Sequence, residues 1–177
     1  SGDATISLPT LTIDESVKNK IREYTREIAR KLGIRGPFNI QFLVKNGNVY
    51  VIECNLRASR SMPFVSKTVG VNLMELSANV LLGGKIDDGE AVPKTFAVKS
   101  PQFSFMRLEG ADPVTSVDMV STGEVACFGK DFNEAFLKSL IASGFKLPQK
   151  TILLSTGPMK TKKYLFESVK KFARMGF

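Results

Sequence analysis

Apolar and polar residues alternate along two short runs in the first third of the chain. Phe38, Ile40, Phe42 and Val44 alternate with Asn39, Gln41 and Leu43, and Tyr50, Ile52 and Cys54 alternate with Val51, Glu53 and Asn55. A period of two predicts two strands. Lys45-Asn46-Gly47-Asn48 between them has the composition of a hairpin turn. The loop length decides which residues face each other. A two-residue loop puts Gln41 on the face of Ile52, whereas a three-residue loop with Gly47 or Asn48 left-handed sets Gln41 opposite Glu53. The second register is expected. It gathers Ile40, Phe42, Val44, Tyr50, Ile52 and Cys54 on an apolar face and Asn39, Gln41, Glu53 and Asn55 on a polar one.

Helical spacing appears on either side of this hairpin. Val17, Ile21, Tyr24, Ile28 and Leu32 recur at three and four residues, with Asp14 or Ser16 as N-cap and Gly33 as stop. Pro63 to Lys67 read as an irregular segment, and Leu73, Leu76, Val80 and Leu81 as a short helix ended by Gly83-Gly84. Gly83 to Glu90 followed by Pro93 mark an internal boundary. Beyond it, Phe96 to Lys99 and Glu124 to Phe128 predict strands, with Ser121-Thr122-Gly123-Glu124 as a tight turn before the second. Asp131 and Glu134 form a capping box for a helix bearing Ala135, Phe136, Leu140 and Ile141 that closes at Gly144. After Pro148, a strand over Thr151 to Ser155, a turn at Thr156-Gly157-Pro158 and an amphipathic helix over Lys160 to Met175 make one βα unit.

The expected fold class is α/β (α+β), with an antiparallel sheet and flanking helices. A chain of 177 residues, 43% hydrophobic and 24% charged, can bury a core, and disorder is not expected. No apolar run approaches the roughly 20 residues of a membrane span. Two cysteines without ligand spacing, Cys54 and Cys127, fit a reducing compartment and the role of small hydrophobes. The charge of +8 invites a nucleic-acid reading, but the basic residues are scattered and form neither a recognition helix nor an aromatic platform. No nucleic-acid partner and no membrane are expected.

The polar hairpin face carries the candidate chemistry. One carboxylate, Glu53, beside the amide oxygens of Gln41 and Asn55 suits Mg²⁺, which takes a few oxygen ligands and leaves its other positions to water and phosphate. Zinc and copper are poor candidates in a chain with no histidine. Arg57 and Arg60 follow at the strand exit, where forked guanidinium groups can clamp phosphate or carboxylate oxygens. A hairpin face and exit loop that simply meet water account for the same pattern. No glycine-rich Walker loop offers another phosphate cradle.

The run Val51-Ile52-Glu53-Cys54-Asn55-Leu56-Arg57-Ala58 resembles the ATP-grasp signature of the carbamoyl phosphate synthetase family, a hydrophobic pair before Glu-x-Asn-x-Arg. Ser1-Gly2-Asp3-Ala4, Arg57 to Lys67, Pro101 to Phe105, Ser121 to Val125 and Ala135 to Lys138 resemble further segments of the second, carbamate-phosphorylating half of its large subunit, in the eukaryotic type. The likeness covers essentially the whole chain. It implies ATP and Mg²⁺ or Mn²⁺ as cofactors, two ions per site. Gln41, Glu53 and Asn55 become metal ligands, with Gln41 and Glu53 also contacting ATP, and Ser1 matches a nucleotide-site residue. Arg57 and Arg60 match arginines near the phosphoryl group passed from ATP to carbamate.

The same resemblance implies a division into residues 1–86, the C-terminal part of an ATP-grasp domain; 87–148, the remainder of the synthetic unit; and 149–177, the start of a Rossmann-like, methylglyoxal-synthase-like regulatory domain. The family has a histidine just before Ser-Gly-Asp, so the chain is expected to open inside a domain and to be inactive alone. Its implied partners are the missing N-terminal part of the ATP-grasp unit, the rest of the large chain, and a glutamine amidotransferase subunit or domain. Cytoplasm is the expected location, or the mitochondrial matrix for an ammonia-dependent parent. Two competitors remain: another ATP-grasp ligase such as a biotin-dependent carboxylase, and a non-catalytic basic binding module.

Overall fold

A computed structural model describes residues 2–87, 89–155 and 157–177, without the side chain of Thr161. The chain up to Ser143 forms one compact unit and Gly144–Phe177 a second. The first unit holds two antiparallel sheets. Strands β1 (Ile6–Leu8), β4 (Phe96–Phe103) and β5 (Ser121–Gly129) make a three-stranded sheet in the order β1-β4-β5, and β2 (Asn39–Lys45) pairs with β3 (Asn48–Asn55) as a hairpin. Because β1 lies against β4, the segments on either side of residue 86 share a sheet.

The hairpin has the expected pairing for an unexpected reason. Gln41 is opposite Glu53 and Asn39 opposite Asn55, but Lys45 pairs with Asn48 across a two-residue turn. Asn46 (φ 52°) and Gly47 (φ 74°) both lie in the left-handed region, which is the conformation of the tightest hairpin turn. The pairing slips by one between Gln41 and Phe42, leaving Ile52 as the extra residue of a bulge. That slip corrects the face assignment. Val49 and Val51 replace Tyr50 and Ile52 beside Ile40, Phe42, Val44 and Cys54, and Ile52 is largely exposed. Helix α1 (Glu15–Lys31) contacts β3, and its Lys20 Nζ donates to the turn carbonyl of Gly47 at 3.1 Å.

The caps follow local chemistry. Asp14 accepts from the backbone N–H of Val17 at the start of α1, and Asp131 from that of Glu134 at the start of α4 (Phe132–Ala142). Glu134 in turn accepts from the N–H of Lys130. Helix α3 (Leu73–Leu81) is capped by Asn72 and ends before Gly83, whose φ is +87°.

Two expectations in this unit are corrected. Residues 62–69 are helical, not irregular: α2 spans Met62–Val69 with Pro63 in its first turn, where a missing N–H costs nothing. Phe64, Thr68 and Val69 lie buried on one side of it, and that burial outweighs the modest helix propensity of the β-branched Val65, Thr68 and Val69. Residues 121–124 are strand, not turn. They form the start of β5, with Glu124 paired to Pro101, Gly123 to Gln102, and Thr122 bulged out.

The core lies on β4. Val98 and Ser100 face α4, where the Ser100 and Ser139 hydroxyls share a hydrogen bond of 2.8 Å and Ala135 is sealed. The opposite face presents Ala97 and Lys99.

The second unit contains helix α5 (Met159–Arg174), close to the expected span. Residues 151–155 form no strand, and Leu153 is 92% exposed. A single strand pattern cannot satisfy its backbone groups without a neighbour, and none adjoins it among the described residues. The turn expected at Thr156-Gly157-Pro158 includes Thr156, which lies outside the described residues.

Candidate active site

A cleft of about 660 Å³ lies between the polar face of the hairpin and the three-stranded sheet. From the hairpin it takes Asn39, Gln41, Glu53 and Asn55. The two cross-strand pairs make a square of three carboxamides and one carboxylate on one face. Asn55 Nδ2 donates to Glu53 Oε1 at 3.0 Å, which brings the two side chains together at the strand end. The loop after β3 adds Arg57, Ser59, Arg60 and Ser61, and the N-terminal segment adds Gly2, Ala4 and Ile6. Ser1 lies outside the described residues.

The other wall carries a charge pair absent from the sequence reading. Lys99 on β4 is only 3% exposed, and its ammonium donates to Glu124 Oε1 on β5 at 2.6 Å. Arg60 Nη2 is 4.0 Å from the same Glu124 oxygen and donates to the Met119 thioether at 3.0 Å. Arg57 Nη1 donates to the Ala58 carbonyl at 3.2 Å. Glu124 therefore offsets the buried Lys99 charge most directly, and the exposed Arg57 and Arg60 side chains remain positive features of the rim. Asp3 fastens the N-terminal segment to β5. Its carboxylate accepts from the N–H groups of Val120 (3.0 Å) and Ser121 (2.9 Å). The Ser121 hydroxyl together with these backbone groups holds the Asp3 carboxyl below its ordinary range.

All the expected residues within the described chain, Gln41, Glu53, Asn55, Arg57 and Arg60, meet in this one cleft. Lys99, Glu124 and Met119 were missed. Lys99 and Glu124 lie 25 positions apart, and only the register of β4 with β5 brings them together. The one available signal was an unpaired lysine at the end of the apolar run Phe96-Ala97-Val98. Among the described residues there is no group of three or more His, Cys, Asp or Glu able to hold a metal. The donor set here is one carboxylate with amide oxygens, which fits a hard cation that retains water and phosphate ligands and does not fit zinc. Cys54 and Cys127 are half-buried free thiols.

Residues 1–88 match the model of the carbamoyl-phosphate synthase L chain, ATP binding domain. The chain is 50% identical over its whole length to the multifunctional protein pyr-3 of Neurospora crassa. The chain belongs to the carbamoyl-phosphate synthase family. It is also 51% identical, over 87% of its length, to the mitochondrial carbamoyl-phosphate synthase [ammonia] of Homo sapiens. It spans about a tenth of these relatives: 10% of the first and 11% of the second. Among solved structures, biotin carboxylase of Campylobacter jejuni, in its β-γ-ATP complex, superposes with a TM-score of 0.61 at 19% identity, over 78% of this chain and 37% of that one. That likeness establishes the ATP-grasp fold in a mixed α/β chain. The carboxylase competitor shares architecture, and the sequence sides with the synthase. No helix among the described residues is long and apolar enough to cross a membrane.

Proposed function

We propose that this segment forms one wall of the ATP site at which a carbamoyl-phosphate synthase phosphorylates carbamate, giving ADP and carbamoyl phosphate. The observation that carries the reading is the pairing of Gln41 with Glu53 and of Asn39 with Asn55 on the cleft face, within reach of Arg57 and Arg60. Gln41, Glu53 and Asn55 hold Mg²⁺ or Mn²⁺, with Gln41 and Glu53 also meeting ATP and Ser1 at the nucleotide. Such a cation neutralises phosphate charge and acts as a Lewis acid. Arg57 and Arg60 orient the transferred phosphoryl group and stabilise the charge that develops on its oxygens. The nucleophile is already anionic, so no side chain here need remove a proton, and alignment supplies the rate.

In this reading residues 1–86 complete an ATP-grasp domain, 87–148 the synthetic unit, and 149–177 begin a regulatory domain with α5 as its first helix. The adenine pocket and lid come from the preceding part of the same chain, and nitrogen from a glutamine amidotransferase or free ammonia. The enzyme works in the cytoplasm or the mitochondrial matrix. The test uses the full-length enzyme carrying this sequence. Glu53→Gln should keep its folded circular dichroism spectrum and lose ATP synthesis from ADP and carbamoyl phosphate; full retention of that activity overturns the assignment.

A further inference from the structure

The polypeptide entering the cleft carries an arrangement that phosphoryl transfer, as proposed above, leaves unused. Gly2 is buried beneath Arg60. A Cβ at this position would lie 2.8 Å from Arg60 Nη2 and 2.9 Å from Met119 Cγ, with the Met119 sulfur closer still. Any side chain at residue 2 must push these two flexible ends aside. The following residue, Asp3, fixes the opposite side of the same contact. One carboxylate oxygen accepts from the N–H of Val120 and the other from that of Ser121, 117 and 118 positions away. Both are charge-assisted bonds to backbone, the stronger kind. They hold the chain immediately after Met119, whose thioether receives the Arg60 guanidinium at 3.0 Å. A thioether is a weak, uncharged acceptor. It directs the guanidinium without neutralising it.

We propose that Gly2 and Asp3 are positioning residues for Arg60: Asp3 anchors the Met119–Ser121 segment, Gly2 leaves the space in which thioether and guanidinium meet, and together they aim Arg60 into the cleft. The inference rests on reading Arg60 as a contact of the phosphoryl group. It adds that the direction of this arginine is set by a contact between the start of the chain and the strand β5, far away in sequence.

The experiment is a double-mutant cycle in the full-length enzyme, read as ATP synthesis from ADP and carbamoyl phosphate. Gly2→Ala and Asp3→Ala should each lower kcat/KM for carbamoyl phosphate roughly tenfold to a hundredfold, the usual consequence of misplacing a catalytic group by about 1 Å. KM for ADP should stay within about twofold, and Asp3→Asn, which keeps one acceptor oxygen, should fall between wild type and Asp3→Ala. In an Arg60→Lys background the same substitutions should cost less than about twofold, because the group they aim has been replaced. Equal losses in both backgrounds, or no loss in the wild type, overturn the positioning role while leaving Arg60 in place. Full activity of Arg60→Lys alone overturns the reading of Arg60 and the positioning role with it. If Asp3→Ala fails to fold, Gly2→Ala carries the test, since the atoms it displaces are side-chain ends.

Discussion

Lys99→Met tests how the cleft floor is held together. The Lys99 side chain is 4% exposed and that of its partner Glu124 20%, with the charged atoms 2.6 Å apart. At an effective dielectric constant of about 20, charges at that separation attract by about 6 kcal/mol before desolvation is subtracted. Sealing the ammonium from water takes back a large part of this, and removing one partner of such a pair costs roughly 3 kcal/mol, because Glu124 then keeps only the more distant Arg60 guanidinium, at 4.0 Å, as compensation. Methionine preserves the length and apolar stem of lysine, so the loss reads the charge and not a cavity. Urea unfolding should therefore show a fall of roughly 3 kcal/mol for Lys99→Met with the slope of the transition unchanged. Adding Glu124→Leu should recover most of the loss, to within about 1 kcal/mol of wild type, since an apolar pair needs no mutual compensation. A loss below about 1 kcal/mol for Lys99→Met, or a double variant whose loss equals the sum of the singles, refutes a coupled pair.

Gly47 (φ +74°) has open space where a Cβ would stand, so Gly47→Ala should cost about 1 kcal/mol of purely conformational strain, seen as a lower unfolding temperature. Unchanged stability would contradict the two-residue turn. The Asp3 carboxyl lies below its ordinary value of 3.8 through the Ser121 hydroxyl and the Val120 and Ser121 N–H groups. The unfolded chain thus binds that proton first, and the contribution of Asp3 to stability is complete above 3.8 and lost as pH falls through its lower folded value. The stability gap between wild type and Asp3→Asn should narrow on acidification below about 4, measured by urea unfolding at a series of pH values; a gap that widens in acid would reverse the sign.

Some of this molecule could be read without a fold. Asp14, one of two N-cap candidates beside Ser16, and Asp131 cap helices through bonds to residues three positions on, so local chemistry was sufficient. The alternation on either side of Asn46-Gly47 called for a hairpin. Its polar face was also legible, because only one register gathers Gln41, Glu53 and Asn55. The means was not: the pairing comes from a two-residue turn and a bulge at Ile52, and a bulge has no compositional mark as strong as a turn. Helix α2 escaped notice for a related reason. Val65, Thr68 and Val69 have modest helix propensity, and what stabilises the helix is the burial of Phe64, Thr68 and Val69, which neighbouring elements create.

The sequence by itself determined the family, the strand carrying Glu53 and Asn55, and the arginines that follow it, because these depend on residue types at short spacing. Tertiary structure alone decided the rest of the cleft. Lys99 meets Glu124 through strand register, and Asp3 meets Val120 and Ser121 across 117 and 118 positions. Pairings at such separations leave no periodic trace in a chain, and they form only when the packing of the sheets brings their backbones together.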